Sequence, residues 1–223
     1  VLSVQILAVL LVLLLPLTKI PLLSDQYICM VISVIISYCL LDNIFPKETV
    51  TEPSPEKPSF SVLSFLHYFM LFQAAQWIGG IINIPIITLF TKLGLNLSFS
   101  EEAARGGSLT NAPMLFYTIL VAPLMEELVF RGIFYRRFRS YGKYFAAFYT
   151  AFFFALMHSN FLQFAPAFSM GMILFFIRDR HGLPYSILLH FSNNLLAIVV
   201  NNLSQDSTLI QGIYGGFLLA GMF

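Results

Sequence analysis

The chain has 223 residues, of which 58% are hydrophobic, 16% aromatic and only 10% charged, with a formal net charge of +1 and a mean hydropathy of +0.81. Soluble globular domains seldom combine so few charges with so many large apolar side chains, so the composition excludes an ordinary soluble fold and points to an integral membrane protein. The near-zero charge, with its basic residues clustered, argues against nucleic acid as a partner and for membrane lipid.

A spanning helix needs about 20 apolar residues, so a chain of this size with short loops has room for about eight and for no separate extramembrane domain. Apolar runs bounded by charge, Pro, Gly or Asn predict spans at about 1–23, 27–45, 60–90, 111–138, 144–160, 161–177, 184–203 and 208–223. The expected fold is all-α: one integral membrane domain over 1–223, a bundle enclosing a polar cavity. The first run, "VLSVQILAVLLVLLLPL", reads as a spanning helix rather than a signal-peptide core, because the apolar stretch resumes through Ile20 to Leu23 without a small-residue cleavage site. Cys29 and Cys39 fall in the second span, roughly 15 Å apart at helical rise, too far for a disulfide. "PKETVTEPSPEKPS" then reads as an exposed linker. In the third span, Gly79, Gly80 and Pro85 of "GGIINIP" are residues that bend or break a helix, and kinked packing is the expected outcome. Glu101 and Arg105 of "SFSEEAARGG" are one turn apart, the spacing of a solvated ion pair.

Basic residues give an orientation. With the first helix starting inside, cytoplasmic loops hold Lys47, Lys57, Arg136, Arg137, Arg139, Lys143, Arg178 and Arg180, against Lys19, Lys92 and Arg105 outside. Both termini are therefore expected in the cytoplasm. Arg136, Arg137 and Arg139 read as anchors of this kind rather than as a peptide-binding patch.

The fourth span carries what its lipid setting penalises. "APLMEELVFRGIFYRRF" places Glu126, Glu127 and Arg131 within an apolar run, where each charge costs a few kcal/mol or more and marks a functional site by default. Glu127 and Arg131 are i, i+4 with the acid first, the arrangement that pairs best. Glu126 is rotated by about 100° and has Phe130 at i+4, so its partner must come from another helix. "FFFALMHSNF" offers His158, and "PYSILLHFSNNLLAI" offers His190 and Asn194 on one face. An acid without a local partner, two histidines and an amide are the ingredients of acid–base hydrolysis: a base for water, a group to hold it and donors for an oxyanion. No Ser, Thr or Cys shows a comparable arrangement. Counted from the basic loops at ~1.5 Å per residue, Glu126 and Asn194 lie about 15 Å deep, His190 about 9 Å and His158 about 22 Å, so convergence needs tilted helices or ends placed elsewhere than predicted. His67 and His181 lie near predicted helix ends, where water accounts for them.

"EELVFR", "FALMH" and "HFSNN" fit, in order, the EExxxR, FxxxH and HxxxN motifs of the CPBP (CAAX protease and bacteriocin-processing) family, also called Abi, of intramembrane endopeptidases, which the chain resembles over a core at about 111–203. The resemblance implies glutamate-dependent peptide hydrolysis within an eight-helix bundle, as in type II CAAX prenyl proteases. By position, Glu126 resembles the glutamate that activates water, assisted by His158. His190 and Asn194 resemble the oxyanion pair, and Glu127 with Arg131 completes the first motif in support. The implied substrate is a peptide or lipid-anchored protein tail, prenylated or of the bacteriocin or pheromone type, and the implied location is a bacterial plasma membrane. No cofactor is expected: HExxH is absent, and a zinc site of Glu126, His158 and His190 has no ligand spacing to recommend it. The alternative is a non-catalytic bacteriocin-immunity or scaffold protein of the same fold. A proton-coupled transporter fits least, for want of matching broken helices in two halves.

Overall fold

In the computed structural model the described residues are 26–44, 59–98, 100 and 112–203, with Leu10, Leu13, Leu14, Leu17 and Ile20 as isolated positions before them. They form α1 (Gln26–Ile44), α2 (Val62–Lys92), α3 (Ala112–Arg139), α4 (Lys143–Met157), α5 (Phe161–His181) and α6 (Leu183–Leu203), with no strand among them. The protein is all-α. Four of these helices, α2, α3, α5 and α6, are long and apolar enough to cross a membrane, while α4 is a shorter apolar helix. The spans expected at 1–23 and 208–223, the proline-rich linker, and Glu101 with Arg105 lie outside the described residues.

The ends of the helices follow from local chemistry. Ser61 caps α2 by accepting from Ser64 N–H, and Asn160 caps α5 by accepting from Leu162 N–H, each satisfying a donor that the first turn leaves free. Gly142 and Gly182, at φ of 115° and 114°, make the turns into α4 and out of α5, a backbone region that side-chain-bearing residues avoid. Neither Cys29 nor Cys39 is in a disulfide, as their spacing requires.

α5 is the central helix, packed against α2, α4 and α6 and touching α3. Small residues set those approaches. Ala146, Ala147, Ala151 and Ala155 line the buried face of α4, and a Cβ on Gly171 of α5 would come within 3.0 Å of Ala151 Cα. A Cβ on Gly79 of α2 would reach 2.5 Å from the Pro166 backbone, so "GGIINIP" serves close packing while α2 runs unbroken through Pro85. Hydrocarbon provides no hydrophobic drive between helices, so such close approach is what holds them. Phe72 of α2, Leu174 and Ile177 of α5 and Leu189 of α6 fill the seam between those three helices.

Prolines within helices create a second kind of contact. Pro166 has no N–H for Leu162 O, one turn before it, and the buried Asn83 of α2 donates its Nδ2 to that carbonyl. In α3 the turn over Tyr117–Val121 widens to the i→i+5 register, with Ala122 N–H bonded to Tyr117 O. The residue that would serve Thr118 O in that register is Pro123, and Asn194 of α6 donates to Thr118 O instead, at 3.0 Å. Carbonyls orphaned by proline thus become side-chain docking points between helices.

The α3–α4 turn, the end of α5 and the starts of α2 and α6 share one end of the bundle. There Asp179 accepts from Tyr135 OH at 2.7 Å and pairs with Lys143 at 2.7 Å and Arg139 at 3.3 Å. Arg178 stacks 3.5 Å over the Tyr135 ring. His181 departs from its expectation as a wetted helix end. It is 6% exposed, hydrogen-bonded to Tyr68 OH at 3.0 Å, and packed among Phe60, Tyr68 and Tyr185.

Candidate active site

Near the middle of α3, Glu127 and Arg131 are both 0% exposed and paired at 3.1 Å, as their i, i+4 spacing requires. The arginine is held on three further sides. Its Nη2 donates to Gly171 O at 2.9 Å, the guanidinium lies 4.5 Å from the centre of the Phe154 ring, and Gly171 has no side chain to bar the way. Arg131 O, in the second i→i+5 stretch (Leu128–Phe134), accepts from Arg178 Nε at 3.1 Å. Planar stacking, a carbonyl and a carboxylate are the partners for which a guanidinium is shaped.

His190 of α6 joins this pair to Glu126. Its Nδ1 lies 3.2 Å from Glu127 Oε1 and its Nε2 lies 3.7 Å from Glu126 Oε2. Glu127 is thus enclosed by Arg131 and His190, while Glu126 remains 19% exposed and is the carboxylate that reaches open space. His190 stands between the two carboxylates, in hydrogen-bond range of Glu127 and just beyond it from Glu126. Glu127 and His190 meet although the residue counts set their helix positions at different depths.

Asn194, one turn beyond His190, is half-buried and spends one N–H on Thr118 O. An amide nitrogen has two hydrogens, so one is left to give. His158 stands at the far end of α4. Its Nδ1 bonds to Phe154 O at 3.0 Å; a carbonyl only accepts, so Nδ1 carries the proton. The Phe154 ring meets both His158 (5.1 Å) and His190 (5.7 Å) edge to face, and so separates them. Among the described residues His158 has no hydrogen bond or ion pair to Glu126, Glu127 or His190. The structure therefore gathers Glu126, Glu127, Arg131 and His190 into one cluster, sets Asn194 beside it on the same helix pair, and leaves His158 one ring away. Ser159, next to His158, has a φ of 50°, a strained conformation of a kind that collects at functional sites.

Among the described residues no three His, Cys, Asp or Glu side chains stand together as a group fit to hold a metal ion. The sequence reading missed Gln73, Gln76, Asn83 and Asn193. Their amides are buried or half-buried on helices α2 and α6, and polar residues within apolar runs were the signal available.

A helical membrane protein with a carboxylate–imidazole–guanidinium cluster at the middle of an apolar helix is the class that fold and site define. Residues 108–196, which hold this cluster, match the family model described as "Type II CAAX prenyl endopeptidase Rce1-like". The chain is also similar to the Bacillus subtilis (strain 168) protein named "Putative membrane peptidase YdiL", at 23% identity over 197 residues, covering 84% of this chain and 78% of that one. No solved structure matches it. Together these likenesses support the CPBP/CAAX protease family and a CAAX-type membrane protease.

Proposed function

We propose that the chain is an intramembrane endopeptidase in which Glu126 is the base that activates water. The observation that carries this reading is the contrast between two adjacent carboxylates: Glu127 is fully enclosed and paired with Arg131, whereas Glu126 is partly exposed and makes no ion pair with an arginine of its own helix. A base must meet water, and a supporting carboxylate need not.

Glu126 takes a proton from water as its oxygen attacks the scissile carbonyl. His158, with its Nδ1 committed to Phe154 O, presents Nε2 as the second polar group for that water once a substrate displaces or bridges the gap beside Phe154. The carbonyl oxygen becomes an oxyanion and accepts from the His190 Nε2–H and the free Asn194 N–H. Glu126 then returns its proton to the leaving amine. Glu127 orients His190 through Nδ1, and Arg131 keeps Glu127 charged and fixed. The likeness to CAAX-type proteases makes a C-terminal tail at the membrane surface the favoured substrate, with prenylation a feature to be tested.

Orientation is part of the proposal. Arg139, Lys143 and Arg178 converge at one end of the bundle, which is assigned to the cytoplasm. Ser140→Cys in the α3–α4 turn should then react with a membrane-impermeant maleimide only in inside-out vesicles.

The experiment is cleavage of fluorogenic C-terminal peptides, farnesylated and plain, by the purified protein in nanodiscs, with Glu126→Gln and with EDTA in parallel. Cleavage lost in Glu126→Gln and unaffected by EDTA is expected. Cleavage retained by the variant would overturn the mechanism. Binding of a bacteriocin-type peptide without cleavage, unchanged by Glu126→Gln, would favour the immunity or scaffold reading.

A further inference from the structure

Helix α2 lies outside the segment that matches the family, yet it reaches the site through amides. Gln73 and Gln76 of "FQAAQ" lie one turn apart, and Gln73 is fully buried. Both donate to Asn193 Oδ1, Gln73 from Nε2 at 3.0 Å, and Gln76 Nε2 also lies 3.3 Å from Gln73 Oε1. Asn193 Nδ2 in turn donates to Asn194 Oδ1 at 3.5 Å, the longest link, and Asn194 Nδ2 donates to Thr118 O at 3.0 Å.

The direction of this chain is fixed at one end. Every amide in it is reversible by a flip, but Thr118 O accepts only, and the residue that would serve it in its register is Pro123. It therefore takes the Asn194 nitrogen. That turns Asn194 Oδ1 toward Asn193, which must present its own nitrogen, and Asn193 Oδ1 is left facing α2, where it needs donors. Glutamine Nε2 groups supply two. A single orphaned carbonyl on α3 thus dictates donors on α2, 120 residues from their acceptor in sequence.

We infer that Gln73 and Gln76 are positioning residues for Asn194, holding its amide in the one orientation that gives an N–H to Thr118 O and leaves the other N–H free for an oxyanion. The inference rests on the proposed oxyanion role of Asn194. Without these donors Asn193 is free to flip, Asn194 loses the partner that fixes its oxygen, and the second N–H is no longer aimed. Removing an oxyanion donor outright costs roughly a hundredfold or more in kcat; loosening one is expected to cost about tenfold, with KM unchanged.

The test is a double-mutant cycle of Gln73→Met and Asn194→Ala in nanodiscs. It is read as kcat and KM on a farnesylated fluorogenic peptide and, on the same samples, as the thermal midpoint. Gln73→Met should lower kcat about tenfold at unchanged KM and do nothing further in the Asn194→Ala background. The midpoint losses should fall short of additivity by about 2–4 °C, which needs no substrate. Additive losses in the midpoint, or a kcat loss from Gln73→Met that persists in Asn194→Ala, would overturn the inference. Full kcat in Asn194→Ala would instead remove the oxyanion role from the proposed function, and the midpoint cycle would still decide whether the amide chain exists.

Discussion

Among the described residues two ionic clusters are built on opposite terms. In the middle of α3, Glu127 and Arg131 are 0% exposed and His190 is 4% exposed. At the basic end, Asp179 is 12%, Arg139 33% and Lys143 41% exposed. In the inner cluster Glu127 is paired with Arg131 in a dry site, so neither of those two is spare. The outer one surrounds a single carboxylate with Tyr135, Arg139 and Lys143, and the two cations are exposed enough for water to replace either. Redundancy is cheap where solvent screens charge, and a balanced count is needed where it does not. The inner cluster leaves only Glu126 turned toward open space, and that asymmetry carries its proposed chemistry.

The comparison is tested most severely by Glu126→Gln. Loss of a general base should lower the cleavage rate by about 10²–10⁴-fold, while the thermal midpoint stays near that of the parent, because Glu126 is the one inner carboxylate without an arginine. Next comes Arg131→Met, which strands Glu127 in a dry site and should cost about 3–5 kcal/mol in an unfolding titration in micelles. Adding Glu127→Gln should recover most of that loss; no recovery would mean that Arg131 acts through Phe154 and Gly171 rather than through charge balance. Asn83→Leu extends the same rule to a neutral group: Leu162 O would lose its side-chain donor, and about 1–3 kcal/mol of stability with it. Lys143→Ala, at the outer cluster, should change stability by less than about 1 kcal/mol, since Tyr135 and Arg139 remain on Asp179. A loss as large as that of Arg131→Met would erase the distinction between the clusters.

Much of the inner cluster was legible in the sequence because helical geometry is local. The i, i+4 spacing of Glu127 and Arg131 specifies their pair, and the lack of a basic neighbour on the Glu126 face requires a partner from elsewhere. What could not be read was which partner arrives. His190 meets both glutamates, whereas His158, which the depth estimates set apart, stops on the far side of Phe154. His181 shows the opposite case: its place near a helix end promised water, and the packing of Phe60, Tyr68 and Tyr185 removed it.

By itself the sequence determined that the chain is a helical membrane protein, where its long apolar helices lie, which charges fall within them, and which of those pair along a single helix. Those properties depend on hydrophobic length and on 3.6-residue periodicity, and both act between near neighbours in the chain. Tertiary structure alone decided that Asn83 and Asn194 answer carbonyls orphaned by Pro166 and Pro123, that Gly79 and Gly171 admit their neighbours, and that amides on α2 reach the site. A hydrogen bond in hydrocarbon must be satisfied by whichever side chain the packing brings within about 3 Å, and no local pattern records which helix that will be.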